Sequence, residues 1–403
     1  MEYITGGICA AKGFTASGVH CGIRKNKTKK DLALIVSEVK ATAAATYTTN
    51  LVKGAPIHVT KANLADGTAQ AVICNSGNAN TCNANGIEIA EGMCALVEKH
   101  IGISKNDVVV ASTGVIGQQM VIDPIADAME KLKANLGENS KDAAHAIMTT
   151  DTKLKEIAVS FEIGGKKCVI GGIAKGSGMI HPNMATMLCF ITSDVAISSE
   201  LLSKALKDNV TDTFNMISVD GDTSTNDMVV VLANGMSGNA MITEQNEDYE
   251  AFAAALHAVS EHLCRCIAAD GEGATKLLEC RVSGASDNAT ARIVAKSVIC
   301  SNLFKAAMFG ADANWGRVLC AIGYSGASVD VDKIDITFKS ASGEIMVCQN
   351  GAGVDFSEKT AKEVLLRSEI IIDVNLNSGD GKASAYGCDL TYDYVKINGD
   401  YRT

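Results

Sequence analysis

Residues 175–192 read KGSGMIHPNMATMLCFIT. The first part is a glycine-dense loop. Gly176 and Gly178 permit a tight backbone path, and Pro182, one of only 3 prolines in the chain, restricts it. The second part, 186–192 (TMLCFIT), is an apolar run bounded by turn residues and predicts a buried strand. A threonine, Thr186, therefore stands where a loop enters a core strand. Just upstream, 156–163 and 167–171 flank Gly164-Gly165, a strong hairpin signal.

Outward from this stretch, strands and helices alternate, which predicts an α/β or α+β class. A buried strand at 71–74 (AVIC) leads into the asparagine-rich loop 75–86 (NSGNANTCNANG). A helix should follow with Ile87, Ala90, Cys94, Val97 and Ile101 on one face. The strand 107–111 (DVVVA) ends in Ser112, Thr113 and Gly114, and a second helix starts at Pro124, with Ile125, Met129, Leu132 and Leu136 inward. In the second half, a helix over 199–214 precedes the loop 220–227 (DGDTSTND) and the apolar run MVVVLA. A long helix over 249–268 ends in 270–276 (DGEGATK), and a single helix is expected over 291–304, ahead of 309–317 (FGADANWGR). Strands IDITF and IMVCQNG, a helix over 357–367 and the strand EIIIDVNL complete the core.

With 403 residues, 47% of them apolar and 20% charged, the chain has ample material for a core of two subdomains or one large composite domain. The formal charge is -10, and the one basic run, 25–30 (KNKTKK), is too short for a nucleic-acid footprint and reads as a solvated loop. No apolar window approaches the roughly 20 residues of a membrane span. The N-terminus has no signal-peptide pattern, so a cytoplasmic protein is expected. The 14 cysteines lie singly in apolar runs and predict small core hydrophobes. Cys264 and Cys266 beside His262 point in different directions on a helix and offer no metal-ligand spacing.

Phosphate-loop and dinucleotide fingerprints are absent, because GGIAKGSG, GICAAKG and DGEGATK all break the required order. Ser325 in GYSGA lacks the last glycine of a nucleophile elbow. What remains is Thr186. A threonine hydroxyl is a poor nucleophile without a base beside it. Cutting the chain just before it would supply one, its own α-amine, whose unperturbed pKa is near 8. Ala185 leaves that carbonyl uncrowded, and the strand behind Thr186 anchors it. The same residues also fit a plain turn leading into a strand.

The segment KGSGMIHPNMATML resembles the signature of the ornithine acetyltransferase (glutamate N-acetyltransferase) family of arginine biosynthesis, whose chains cleave themselves between Ala and Thr of the MATML element. CNSGNANTCNANG, ASTGVIG, MTTDT, DGDTSTND, DGEGATK and FGADANWGR resemble further family blocks, in order, so the likeness spans nearly the whole chain. It implies an α/β fold of layered sheets flanked by helices, of the N-terminal-nucleophile-like type shared with L-aminopeptidase-D-esterases. It also implies an α chain (1–185) and a β chain (186–403) assembled as an α2β2 heterotetramer.

By resemblance, Thr186 is the nucleophile and takes the acetyl group of N2-acetylornithine, and L-glutamate then accepts it. Thr113 and Gly114 match the oxyanion hole. Lys175, Thr186, Glu272, Asn398 and Thr403 match substrate-binding positions, together with Thr149 or its neighbour Thr150. Acyl transfer between two amines implies no metal or redox cofactor. Some family members also use acetyl-CoA as a donor, and no local motif here decides that point. Two rival expectations stand beside this one. An N-terminal-nucleophile amidohydrolase or aminopeptidase would pass the acyl group to water, and a non-catalytic amino-acid-binding protein would never mature.

Overall fold

The computed structural model describes residues 1–181 and 187–399, and the alternation read from the sequence becomes sixteen strands and eleven α-helices among them. They fall into two units, each with its own sheet. The first holds the described residues of Met1–Gly176, Asn183–Thr211 and Thr223–Leu263.

Its strands are β1 (Glu2–Ile4), β2 (Phe14–Val19), β3 (Leu32–Tyr47), β4 (Thr68–Asn75), β5 (Val108–Ser112), β6 (Lys155–Ile163), β7 (Lys166–Lys175), β8 (Leu188–Ser193) and, past a two-residue β9 (Ile217–Ser218) of the second unit, β10 (Met228–Ala233). They pair in the order β1-β6-β7-β8-β10-β3-β4-β5, with β2 also on β3. The β8–β10 and β4–β5 pairs are parallel, and β6–β7 is the expected hairpin. Strand β8 lies inside the sheet and every residue in it is buried, so its sequence is a continuous apolar run rather than an alternating one.

Helices α1 (Ala55–Asn63), α2 (Gly86–Ile101), α3 (Asp123–Ala134) and α4 (Ser140–Ile147), then α5 (Ser199–Asp212) and α6 (Glu247–Ala269) follow in chain order. One cluster joins Ile173, Phe190 and Val230 to Ala143 and Ile147 of α4; another joins Leu34, Ile73 and Val110 to Met93, Val97 and Met129 of α2 and α3. The face expected for α2 needs one correction. Ile87 lies in the first turn and is 45% exposed, whereas Ile89 and Met93, two turns of one row, are buried beside Ala90, Cys94 and Val97.

The second unit comprises Ser177–Pro182, of which 177–181 are described, with Asp212–Asp222 and the described part of Cys264–Thr403. Strands β11 (Leu277–Ala285), β12 (Asp335–Ser340), β13 (Gly343–Gln349), β14 (Ala352–Gly353), β15 (Glu369–Asn375) and β16 (Gly381–Cys388) form the sheet β14-β13-β12-β15-β11-β16-β9. Helices α7 (Asn288–Cys300), α8 (Asn302–Phe309), α9 (Trp315–Gly323), α10 (Glu358–Leu365) and α11 (Tyr392–Asn398) accompany it. Cys280, Phe338, Ile372 and Val374 of the sheet share a core with Val294, Val298, Phe304, Ile322 and Val364.

The single helix expected over 291–304 is two. Ser301 leaves helical geometry (φ -72, ψ 110), and its Oγ accepts a hydrogen bond from the Phe304 N–H, capping α8. No disulfide joins any of the 14 cysteines, all of which lie among the described residues, and no group of three or more potential metal ligands occurs among those residues.

Candidate active site

In the first unit the end of β5 is wired from two sides. The Thr113 N–H donates to the Asn75 carbonyl (3.0 Å), and Asn75 Nδ2 donates to Ser112 Oγ (2.7 Å). Buried Asn226 donates through Nδ2 to the Ser112 carbonyl (2.9 Å) and to the Ala79 carbonyl (2.5 Å). Its Oδ1 accepts from the hydroxyls of Thr81 and Thr225, each at 2.6 Å. Gly114 has φ +129, and a Cβ there would stand 2.6 Å from the Gly77 backbone, so only glycine fits. These bonds restrain the backbone that carries Thr113 and Gly114, and an oxyanion hole requires donors held in place.

Lys175, the last residue of β7, is only 7% exposed, and its Nζ lies 3.5 Å from Thr113 Oγ1. Burial pushes this ammonium below the usual lysine range, opposed by Asp151 and Asp227 and assisted by Lys155 and Arg24. Asp151 accepts from Lys155 Nζ (2.7 Å), the Gly176 N–H (2.7 Å) and the Thr149 N–H (2.9 Å). Burial alone would raise its carboxyl, but Lys155, Lys175 and these donors hold it below the usual carboxylate range. Asp227 behaves in the opposite way. It is 2% exposed, its Oδ2 has no hydrogen-bond partner among the described residues, and burial pushes its carboxyl well up, only partly offset by Ser224 and Lys175.

The cluster sets Lys155, Lys175 and Arg24 beside Asp151 and Asp227, and basic groups of this kind suit the carboxylate of an amino-acid ligand. Thr149 and Thr150 are both half-buried beside Asp151, and their placement does not choose between them.

In the second unit Glu272 is 7% exposed, and its Oε2 accepts from Asn398 Nδ2 of α11 (2.7 Å), which pairs two residues 126 positions apart. Gly178 lies against the Glu272 carboxylate so closely that a Cβ would collide with it. The Glu272 N–H donates to the Ser177 carbonyl (3.0 Å), and Ser177 Oγ donates to the Asp270 carbonyl (2.7 Å). Ala185, Thr186 and Thr403 lie outside the described residues. The residue after Thr186, Met187, is buried, and its carbonyl accepts from the Met228 N–H (2.8 Å).

Sequence reasoning assigned no role to Asp151, Lys155, Asn226 or Asp227. Asp151, Asn226 and Asp227 lie inside the blocks MTTDT and DGDTSTND, but composition says nothing of which of their polar residues is buried.

Rigid donors at a strand end beside a buried lysine suit acyl transfer. The chain belongs to the ArgJ family, whose profile matches residues 15–403. It is 51% identical over 405 residues to the arginine biosynthesis bifunctional protein ArgJ of Caldanaerobacter subterraneus subsp. tengcongensis, covering 100% of both chains. It is 47% identical over 402 residues to the protein of that name from Bacillus subtilis, covering 99% of this chain and 97% of the relative. Among solved structures, the arginine biosynthesis bifunctional protein argJ of Bacillus halodurans matches at 47% identity and a TM-score of 0.50, over 53% of this chain and 98% of that one.

Proposed function

We propose that this chain is an acetyltransferase of arginine biosynthesis that moves the acetyl group of N2-acetylornithine to L-glutamate through an acetyl ester on Thr186. Membership of the ArgJ family carries the reading, and the wired Thr113–Gly114 corner beside buried Lys175 supports it. Self-cleavage between Ala185 and Thr186 frees the Thr186 α-amine as a base. Thr186 Oγ then attacks the acetyl carbonyl, the C–N bond to ornithine breaks, and the released amine takes the proton. The glutamate amine attacks the ester in turn and restores the hydroxyl. In both half-reactions the Thr113 hydroxyl and Gly114 N–H receive the developing oxyanion. Removing one such donor typically costs ~10²–10³ in rate.

Both substrates are α-amino-acid derivatives, so one cation serves both. Lys175 holds the α-carboxylate, with Thr149 beside it, and Glu272, held by Asn398, balances the distal ammonium of ornithine or orients the Thr186 amine. Thr403 completes the substrate set. Both steps pass an acyl group between nucleophiles, so the chemistry calls for no metal or redox cofactor. The relatives' designation as bifunctional supports acetyl-CoA as a second donor. That 53% of this chain accounts for 98% of the solved Bacillus halodurans chain supports division near the middle, into 1–185 and 186–403. We place the products in an α2β2 assembly in the cytoplasm; no helix among the described residues is long and apolar enough to cross a membrane.

Thr186→Ala tests the mechanism. The wild type should run as two fragments on a denaturing gel and exchange acetyl between acetylornithine and glutamate. The variant should stay a single 42.0 kDa chain with no exchange. An uncut but active variant overturns the mechanism, and acetate release independent of glutamate overturns the transferase reading.

A further inference from the structure

Within the first unit, the turn that ends at Asp227 brings a carboxyl group close to Lys175 and leaves one of its oxygens without a partner among the described residues. The sheet sets this placement. Lys175 of β7 pairs with Leu188 of β8, and Leu188 pairs with Met228 of β10, so the three stand in one row across adjacent strands. Adjacent strands lie about 4.8 Å apart, so a lysine side chain spans much of the distance to Asp227, the residue before Met228. The two charged groups act on each other in both directions.

The backbone around this carboxyl is held. The Asp227 carbonyl accepts from the Thr48 N–H (3.0 Å), and its neighbour Asn226 is the clamp on Ser112. Ser224 supplies hydrogen bonds to the carboxyl. Asp151, the other carboxylate near Lys175, is already committed to Lys155 Nζ and to the Gly176 and Thr149 N–H groups. An anion arriving at Lys175 therefore meets one carboxyl with its charge matched and one with hydrogen-bonding capacity to spare. Ionised, Asp227 offsets the Lys175 charge and repels a second carboxylate. Protonated, it leaves the ammonium to the ligand.

We propose that Asp227 is a positioning residue that gates carboxylate binding at Lys175, admitting the ligand while it carries its proton and opposing it once ionised. The inference rests on the substrate reading above, in which Lys175 holds the α-carboxylate. Ligand and proton are linked reciprocally, so each favours the other. The remaining groups around Lys175 are Asp151, held below the usual carboxylate range, the Cys74 thiol, pushed up to about 12, and the cations Lys155 and Arg24. Burial depresses Lys175 itself, so loss of its own proton also weakens binding at higher pH, whatever residue stands at 227.

The test compares wild type with Asp227→Asn, which has the shape of the acid form and cannot ionise. It runs from about pH 5, above the ordinary carboxylate range, to about pH 8. The KM values for N2-acetylornithine and L-glutamate should rise with pH more steeply in the wild type, by up to about tenfold per pH unit, the limit for one linked proton. The ratio of wild-type to variant KM should grow with pH while the ratio of kcat values does not follow it. A purely structural role would change these ratios by factors independent of pH.

A second measurement needs no turnover. L-glutamate is titrated calorimetrically into each enzyme, without an acetyl donor, in two buffers of different ionisation enthalpy. The wild type should take up more protons per ligand than Asp227→Asn, the difference growing with pH towards about one. Should Asp227→Asn melt below the assay temperature, Asp227→Ser, which also cannot ionise, takes its place. A constant KM ratio or equal proton uptake overturns the inference while the transferase reading stands. A wild type that neither exchanges acetyl nor binds L-glutamate overturns both.

Discussion

Asp151 and Asp227 both feel the Lys175 ammonium, and the two carboxyls are driven in opposite directions. Asp151 accepts from an ammonium and two backbone N–H groups, so its charge is matched. Asp227 has an oxygen with no partner among the described residues, so burial favours its proton. For Asp227 the folded-state pKa exceeds the unfolded value of about 3.9. The folded protein therefore holds a proton that the unfolded chain gives up, and stability falls as pH rises from about 4 through the raised value, by about 1.4 kcal/mol per unit.

Asp227→Asn imitates the protonated form. Its melting midpoint should match wild type near pH 4 and exceed it as pH rises, until the difference levels off above the raised value, as followed by calorimetry. A flat difference would mean that Asp227 is ionised in the folded protein. Asp151, shifted downwards, contributes in the opposite sense: its stabilisation is complete above about pH 4 and is lost on further acidification.

Among the elements, those with the strongest pattern were legible. Strand β8, the β6–β7 hairpin and the stripe Phe252, Leu256, Val259, Leu263 and Ile267 of α6 stand where the sequence places them. Strand β3 was not legible. Its sixteen residues are rich in alanine and interrupted by Glu38 and Lys40, where its pairing with β4 skips from Val36 to Ala41. The break between α7 and α8 was also hidden, because Val298, Ile299 and Phe304 are all buried and mimic one continuous apolar face. A hydroxyl at Ser301 decides it by capping the second helix. Ser301→Ala should cost about 1 kcal/mol in urea unfolding, and no loss would show that packing of Phe304 alone sets the break.

Across the described residues two sheets carry the hydrophobic cores, and no disulfide joins any of the 14 cysteines. Burial pushes the Cys74, Cys94 and Cys189 thiols far above their ordinary range, Cys74 and Cys94 up to about 12, so they pack as hydrophobes and not as reactive groups. Thermal unfolding should therefore be unchanged by a strong reductant. A lower midpoint in its presence would reveal a disulfide.

Periodicity, turn chemistry and the long signature around Thr186 were enough to determine the mixed α/β class, most strands and helices, and the family. Those signals are local: backbone geometry repeats every two or 3.6 residues, and glycine and proline act where they stand. Tertiary structure alone decided which polar residues are buried and what each one faces. The meeting of Glu272 with Asn398, the Asn226 clamp on Ser112 and the opposed states of Asp151 and Asp227 all join residues distant in sequence. Desolvation and hydrogen bonding act through space, and no pattern along the chain encodes them.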